Sequence, residues 1–292
     1  MAAETKSSKP APNEPIGCLY LVATPIGNLE DITVRALRVL GEADLIACED
    51  TRRTAKLLHH YSIKKETLSY HEHNEMTRAA ELVIRMEQGA RVALVSDAGT
   101  PVISDPGHHL VGLCLRHRIP VVPIPGPSAV IAALAVSGLP TEEFVFVGFL
   151  PSRAGDRRKA LDRLASETRT LVFYESPHRL GEMLAAALDR FGRRPTVIAR
   201  ELTKLHEEFL RGDLAELLVI ARRTPLRGEL TVLIGGADPD AVPAELPTAP
   251  LKERVEQIMR EQNLPRNSAL KQAAHERGLT RREAYGQLLT SR

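Results

Sequence analysis

Several features that define large protein classes are scarce or absent in these 292 residues. There is no Trp, aromatic residues make up 4% of the chain, and Cys occurs three times. Cys18, Cys48 and Cys114 are far apart and odd in number, which excludes a disulfide framework and a zinc-ligand pattern and predicts buried thiols in a reducing compartment. So few aromatic residues also disfavour a stacking platform of the kind that RNA-recognition sheets use.

Long apolar runs and phosphate-binding glycine motifs are missing as well. No apolar stretch is long enough for a membrane span, and the N-terminal residues contain no hydrophobic signal segment, so we predict a cytoplasmic protein that does not bind membranes. No Walker-type glycine-rich run occurs. What is present, 43% hydrophobic and 26% charged residues, is typical of a globular protein.

The charge is distributed unevenly along the chain. Residues 251–292 contain nine Lys or Arg and five Glu, whereas the preceding 250 residues contain 30 Lys or Arg and 32 acidic residues. Basic charge at one end favours an acidic partner such as nucleic acid, although one solvated helical face would give the same count.

Strand and helix patterns alternate along most of the chain, which predicts an α/β fold with a mostly parallel sheet covered on both faces. We predict a disordered extension over 1–15, a first α/β domain over 16–138, a second over 139–235, a linker over 236–250 and an all-α module over 251–292. The second α/β domain has more antiparallel character, and residues 201–212 form a polar connecting segment within it.

The last 42 residues have a helical pattern of their own. A first amphipathic helix ends before Pro265, a second follows it, and a tight turn at 278–280 precedes a third with Ala284, Tyr285 and Leu288. This spacing resembles a helix-turn-helix. A three-helix packing cap with an exposed basic face is nearly as good an interpretation.

The most informative segment is residues 96–107, SDAGTPVISDPG, directly after the buried strand predicted over 91–95. Its Gly and Pro residues predict a non-helical loop with an open backbone. In an open α/β sheet such loops lie at the carboxyl ends of the strands, where ligands bind. Because Asp97 and Asp105 add two carboxylates, the loop suits a cationic or hydroxyl-rich ligand better than a phosphate.

Six motifs in order resemble one known family: 24–33 (TPIGNLEDIT), 49–52 (EDTR), 96–107, 125–129 (PGPSA), 174–179 (YESPHR) and 200–204 (RELTK). The family is ribosomal RNA small subunit methyltransferase I, a group of cytidine 2′-O-ribose methyltransferases of the tetrapyrrole-methylase fold class. The resemblance covers about residues 17–235, and the C-terminal segment is similar to the helical module of the same family.

The resemblance implies S-adenosylmethionine bound between two α/β domains, in a homodimer that acts on 16S ribosomal RNA in the small ribosomal subunit, at a cytidine of the decoding region. The donor is a sulfonium cation without phosphate, which agrees with the loop chemistry, and a helix start at Ser128 suits its carboxylate. By analogy with the fold class, the cofactor contacts are Pro25, Asp97, Gly99, Val102, Ile103, Ser128, Ala129, Tyr174, Leu202 and Glu229. No metal is expected.

Methyl transfer to a ribose hydroxyl needs positioning, and it benefits from a base or a nearby cation. Candidates near predicted strand ends are Glu49, Asp50, His71, Glu72, Glu175, Glu201 and Lys204. We favour a catalytic site lined by Asp50, Arg52, His71 and Glu201. Each has a structural alternative; for example, Arg52 could simply pair with Asp50.

RNA phosphates are expected to contact cationic residues at the cleft, with one nucleotide extruded into it. The predicted contacts are Arg52, Arg53, Arg153, Arg157, Arg158, Lys159, Arg179 and the C-terminal module. Two other functions stay open from the sequence. One is a small-molecule methylase acting on a tetrapyrrole, and the other is a non-catalytic nucleic-acid-binding regulator.

Overall fold

The computed structural model describes residues 17–224, 226–238, 251–262, 264–276, 284 and 286. The chain divides into two compact units between Ala237 and Asp238. The predicted extension over 1–15, most of the predicted linker over 236–250 and most of the predicted third helix lie outside the described residues. The predicted domain boundaries stay predictions.

The first half of the larger unit contains a parallel five-stranded sheet in the order β3-β2-β4-β1-β5. Its strands are β1 (Cys18–Val22), β2 (Leu45–Cys48), β3 (Thr67–Ser69), β4 (Arg91–Val95) and β5 (Val121–Ile124). Its helices are α1 (Val34–Glu42), α2 (Thr51–His60), α3 (Glu75–Glu87), α4 (His108–Arg116) and α5 (Ala129–Ser137). Separate apolar clusters cover the two faces of the sheet, as the alternating pattern predicts.

The strand order places the informative loops side by side. Strands β1 and β4 are neighbours at the centre of the sheet, yet the chain leaves β1 towards β2 on one side and leaves β4 towards β5 on the other. Such a reversal opens a crevice at the carboxyl ends of the two strands, which is where open α/β sheets bind ligands. The loops that start there are 23–28 and 96–107.

The second half contains a mixed five-stranded sheet in the order β6-β7-β10-β8-β9. Only the β6–β7 pair is parallel. Its strands are β6 (Phe144–Phe149), β7 (Thr170–Glu175), β8 (Pro195–Arg200), β9 (Glu208–Asp213) and β10 (Leu230–Ile234). Its helices are α6 (Ala154–Asp162), α7 (Pro177–Phe191) and α8 (Leu214–Arg223).

Strand β9 corrects the prediction of a purely polar connection over 201–212. Phe209 and Leu210 pack on opposite faces of the sheet, while Glu208 and Arg211 carry charge. The strand is at the edge of the sheet, where charged residues are tolerated and protect against pairing with other chains. Its polarity therefore hid a strand that pairing with β8 stabilises.

Helix α5 joins the two halves. Ser128 caps it, its Oγ accepting from the N–H of Ile131 at 3.5 Å. Val130 and Leu134 of this helix of the first half pack against residues of the second sheet such as Val172. Because α5 carries apolar residues on all sides, it can be buried by both layers. The start of α5 is therefore held at the boundary of the halves.

The smaller unit contains α9 (Leu251–Gln262) and α10 (Arg266–Glu276), separated around Pro265 as the sequence predicts. Its own apolar core includes Leu251, Val255, Ile258 and Leu270, and Ala284 is buried in it. Nowhere in the described part of the chain is a helix both long and apolar enough to cross a bilayer.

Two glycines make a matched test of how tightly the larger unit is packed. A Cβ at Gly236 would lie 1.7 Å from the carbonyl oxygen of Thr168, whereas a Cβ at Gly181 in α7 would meet no atom within 4 Å. We expect Gly236→Ala to destabilise the protein by about 1–3 kcal/mol through overpacking against backbone. Gly181→Ala should stabilise it by about 0.5–1 kcal/mol through helix propensity. Urea unfolding measures the free energy of unfolding of both variants. Equal values for the two would contradict the close contact between Gly236 and Thr168.

Candidate active site

A cavity of about 570 Å³ lies between the two halves of the larger unit, at the carboxyl edge of the first sheet. The first wall of the cavity is formed by the 96–107 loop and the start of α5. The second wall is formed by β6, by the C-terminal end of β7 and by residues 228–231. A volume of this size suits a ligand of several hundred daltons.

The 96–107 loop is fixed to its surroundings at Asp97. Oδ1 of Asp97 accepts from the backbone N–H of Asp50 at 3.1 Å, and Oδ2 accepts from Nη1 of Arg53 at 3.1 Å. Two backbone hydrogen bonds between Thr24 and Gly99, at 2.9 and 3.0 Å, join the loop to the turn after β1. The Asp97 carboxylate thus connects the loop to the start of α2.

The same loop contains strained backbone next to the cavity. Val102 has φ = 76° and Ser104 has φ = 63°. Positive φ is uncommon outside glycine and costs most for a β-branched residue such as Val102. The contacts at Asp97 and Gly99 hold this loop, of which residues 98–100, Ile103 and Ser104 line the cavity.

A group of acids lies beside this loop. Burial and, after it, the neighbouring charges of Glu49 and Asp97 together raise the pKa of Asp105 to about 6, while a hydrogen bond with Ser96 opposes the shift. Burial and the charge of Asp97 likewise raise the pKa of Glu49, against the charges of Arg53 and His71. Because like charges oppose one another here, a cationic ligand would be stabilised beside Asp105.

Aromatic side chains form much of the second wall. Phe144, Phe146, Phe149 and Tyr174 all line the cavity. The rings of Phe146 and Phe149 lie 5.1 and 5.6 Å from that of Tyr174. The sequence analysis missed the three phenylalanines because overall aromatic content is low. The alternation of Phe144 and Phe146 within β6 was the available signal, since residues two apart in a strand share a face.

Glu175, at the end of β7, carries a polar atom without a partner. Its side chain is 1% exposed. Oε1 accepts from the N–H of Ser176 at 2.8 Å and lies 3.5 Å from Nε of Arg179. Oε2 is buried and makes no hydrogen bond, although the residue lines the cavity. A ligand donor would remove the cost of this unpaired acceptor.

Leu202, from the segment 201–204, and Glu229 line the cavity. Oε1 of Glu201 accepts from Nζ of Lys204 at 2.8 Å and from the N–H of Glu229 at 2.9 Å. The hydrogen bond from Lys204 lowers the pKa of Glu201. Oγ1 of Thr203 accepts from the N–H of Asn28 at 3.0 Å, which joins the two halves. Glu201 and Thr203 both have positive φ, and we call this hydrogen-bonded segment, residues 201–204, the latch.

The structure brings most of the predicted cofactor residues together. Those that line the cavity are Asp97, Gly99, Ile103, Ser128, Ala129, Tyr174, Leu202 and Glu229. Val102 lies elsewhere, since its side chain packs against the core of the first half. Pro25 lines a second cavity of about 330 Å³, which shares Arg53 and Asp97 with the first. Their roles as ligands stay predictions.

None of the four predicted catalytic residues lines the first cavity. Asp50 and Arg52 pair with each other, with Oδ2 and Nη2 3.0 Å apart, and this hydrogen bonding lowers the pKa of Asp50 to about 2. Glu201 is held in the latch. His71 lies close enough to Glu49 to affect its pKa, and its buried Nδ1 has no partner.

Two of the predicted RNA contacts make hydrogen bonds within the protein. Arg157 has a side chain that is 6% exposed and donates to Glu182 at 2.8 Å and to the carbonyl of Ser152. Arg179 donates to the carbonyl of Leu150. The other predicted contacts in the described chain are exposed: Arg52, Arg53, Arg153, Arg158 and Lys159.

Comparison with known proteins agrees with the fold. The family model described as Tetrapyrrole (Corrin/Porphyrin) Methylases matches residues 18–218. A solved structure of uroporphyrin-III C-methyltransferase from Thermus thermophilus, in complex with S-adenosylhomocysteine, superposes with a TM-score of 0.54. It is 24% identical and covers 75% of this chain and 97% of its own, which shows a shared fold.

Curated relatives are more similar in sequence. A protein of Halalkalibacterium halodurans named ribosomal RNA small subunit methyltransferase I is 48% identical over 271 residues, 92% of this chain and 93% of that one. A Thermotoga maritima protein of the same name is 51% identical over 223 residues, 76% of this chain and 100% of that one. The resemblance seen in the six motifs is thereby confirmed. The chain belongs to the tetrapyrrole methylase family and, within it, to the ribosomal RNA small subunit methyltransferase I group.

Proposed function

We propose that this protein transfers a methyl group from S-adenosylmethionine to the ribose 2′-oxygen of a cytidine in the RNA of the small ribosomal subunit. The observation that carries the proposal is the cavity at the carboxyl edge of the first sheet, built from the motifs shared with the family. The cytidine in the decoding region follows from the family resemblance.

The residues of the cavity fit this methyl donor. Asp105 stands beside other acids and accommodates a positive charge, as a sulfonium requires. The start of α5 at Ser128 is a helix N-terminus, which favours an anion such as the donor's carboxylate. Aromatic walls and the unpaired Oε2 of Glu175 suit the flat adenine ring and a donor group such as an amine or hydroxyl.

When bound, the donor supplies its methyl group: the sulfur–carbon bond breaks as the carbon–oxygen bond forms, and S-adenosylhomocysteine remains. The chain has to hold the ribose hydroxyl in line and accept its proton. Of the four predicted catalytic residues, His71 alone has a buried polar side-chain atom, Nδ1, without a hydrogen-bond partner. Asp50 and Arg52 compensate each other's charge and orient the start of α2. Glu201 positions the latch.

The test is a tritiated-methyl assay with three acceptors: assembled small subunits, naked 16S RNA and a uroporphyrin-type tetrapyrrole. We expect transfer to the small subunit or its RNA, and the product should resist alkaline cleavage at one cytidine because its 2′-oxygen is blocked. Labelled tetrapyrrole would instead support the small-molecule methylase. Absence of S-adenosylmethionine binding in calorimetry would leave only the non-catalytic regulator.

Asp105 predicts how cofactor binding depends on pH. A sulfonium favours the ionised carboxylate, so binding the cation lowers the pKa of Asp105 from about 6 and releases a proton. Affinity for S-adenosylmethionine should therefore rise with pH between roughly pH 5 and 7 and level off above that range. Calorimetry over this range measures it. S-Adenosylhomocysteine, which lacks the sulfonium charge, should bind with a weaker pH dependence. Asp105→Asn should abolish the difference between the two ligands. Identical pH profiles for the two ligands in the unaltered protein would contradict a sulfonium site beside Asp105.

The family resemblance also supports a homodimer, and a ribosomal substrate supports a cytoplasmic location. Exposed apolar side chains on α5 and α8, namely Val136, Val219 and Ile220, are available to a second copy of the chain. Sedimentation equilibrium of the purified protein distinguishes a dimer from a monomer.

A further inference from the structure

Of the predicted cofactor contacts, Pro25 and Asp97 alone line the second cavity, which has a volume of about 330 Å³. It opens beside the first cavity, and the two share Arg53 and Asp97, which form an ion pair at 3.1 Å. A ligand in the second cavity would therefore adjoin whatever occupies the first. Its volume is at the low end of the range for small-ligand sites and suits a unit smaller than the cofactor.

The walls of this cavity combine an apolar surface with positive charge. Pro25, Leu29 and Leu57 supply the apolar part, and Arg53 and Lys56 supply the charge. Leu29 is 38% exposed, so its side chain is accessible from solvent. A nucleotide has the matching parts, since its base is flat and largely apolar on its faces and its phosphate is anionic.

Helix α2 extends this charge beyond the cavity. Its ten residues, TRRTAKLLHH, include no acid, and Arg52, Arg53, Lys56, His59 and His60 are exposed. Its first turn touches the cofactor loop through the contacts of Asp50 and Arg53 with Asp97. A polyanionic strand that leaves the cavity can follow this face, and backbone phosphates bind such cationic surfaces.

We propose that the second cavity binds the nucleotide that is methylated, with its base against Pro25, Leu29 and Leu57 and its phosphate at Lys56. The ribose then lies at the Arg53–Asp97 boundary, with its 2′-hydroxyl directed into the first cavity. The flanking strand continues along the exposed face of α2. This inference rests on the proposed function, because it assigns the RNA side of the same site.

The first test fills the cavity. Leu29→Trp places a large ring where the base would bind, and Val34→Trp is its control, since Val34 at the start of α1 is 84% exposed and lines neither cavity. Methyl transfer to small subunits is measured with both variants, together with S-adenosylmethionine affinity by calorimetry. We expect Leu29→Trp to lower kcat/KM for the RNA at least tenfold with cofactor affinity within twofold of the unaltered protein, and Val34→Trp to change neither.

The second test removes the phosphate contact at an exposed position that does not threaten folding. Lys56→Ala should raise KM for the small subunit about three- to tenfold and reduce the slope of log KM against log salt by about one. Lys56→Arg should restore both values. Lys64→Ala, an exposed lysine beyond α2 that lines neither cavity, is the control.

The outcomes separate the two proposals. If the unaltered protein methylates small subunits while Leu29→Trp and Lys56→Ala behave like their controls, the nucleotide site is wrong and the function stands. If Leu29→Trp instead weakens cofactor binding tenfold, the cavity belongs to the cofactor and the inference also fails. If the unaltered protein transfers no methyl group to RNA, both proposals fail together.

Discussion

Asp97→Ala is expected to weaken S-adenosylmethionine binding by about 10- to 100-fold. The substitution removes two hydrogen bonds, from the N–H of Asp50 and from the Arg53 guanidinium. A hydrogen bond to a charged group contributes about 1.5–3 kcal/mol, and a loss of 1.4 kcal/mol is a factor of ten in an equilibrium constant. The loss falls on the cofactor because these bonds hold the strained backbone at Val102 and Ser104 in its binding conformation.

Asp97→Asn is the matched control for this prediction. It keeps an oxygen that can accept from Asp50 but removes the charge opposite Arg53, so its cofactor affinity should lie between those of the unaltered protein and Asp97→Ala. Calorimetry measures the affinities, and thermal unfolding checks that both variants are folded. A dissociation constant for Asp97→Ala within twofold of the unaltered value would show that the loop keeps its conformation without this carboxylate.

Removal of residues 251–292 is expected to spare cofactor binding and to raise KM for small subunits about tenfold or more. The smaller unit has its own core, so the cofactor cavity, built wholly from the larger unit, does not depend on it. Nine Lys or Arg in the deleted segment would otherwise neutralise RNA phosphates, and that contribution weakens with salt. We expect kcat to stay within twofold of the full chain.

The Thermotoga maritima relative bears on the expected effect of this truncation. All of that protein aligns with about three quarters of this chain, so a protein of the same name does without a counterpart for the rest. Because the C-terminal unit has its own core and none of its described residues lines either cavity, we expect it to add RNA affinity rather than chemistry. Measurements of KM at 50 and 200 mM salt distinguish the alternatives. If the truncated protein shows the same KM and the same salt dependence as the full chain, the unit is a packing cap.

Local patterns predicted the element sequence well. Gly and Pro residues marked the loops after β1, β4 and β5, and the small-residue pattern after Ser128 marked α5. The fold class, two α/β halves with a cleft between them, is confirmed. Strand β9 was missed because an edge strand can be as polar as a loop, and only its pairing with β8 distinguishes the two.

The side-chain partners of the site were less predictable. Arg157 looks like an RNA contact in the sequence, yet it is buried against Glu182, 25 residues away. The Phe residues of β6 become part of the cavity only because β6 lies at the edge next to β7 and faces α5. A count of aromatic residues along a chain carries no information about such convergence.

The sequence by itself determined where the backbone must break, which segments are helices and strands, and which family the chain belongs to, because those properties depend on neighbours a few residues apart. The tertiary structure decided which acids share a wall, which cations are exposed and that a second cavity adjoins the first. These depend on contacts such as Asp50 with Asp97, 47 residues apart, and Asn28 with Thr203, 175 residues apart. Packing of distant segments sets the burial and charge of each group, and burial and charge decide its chemistry.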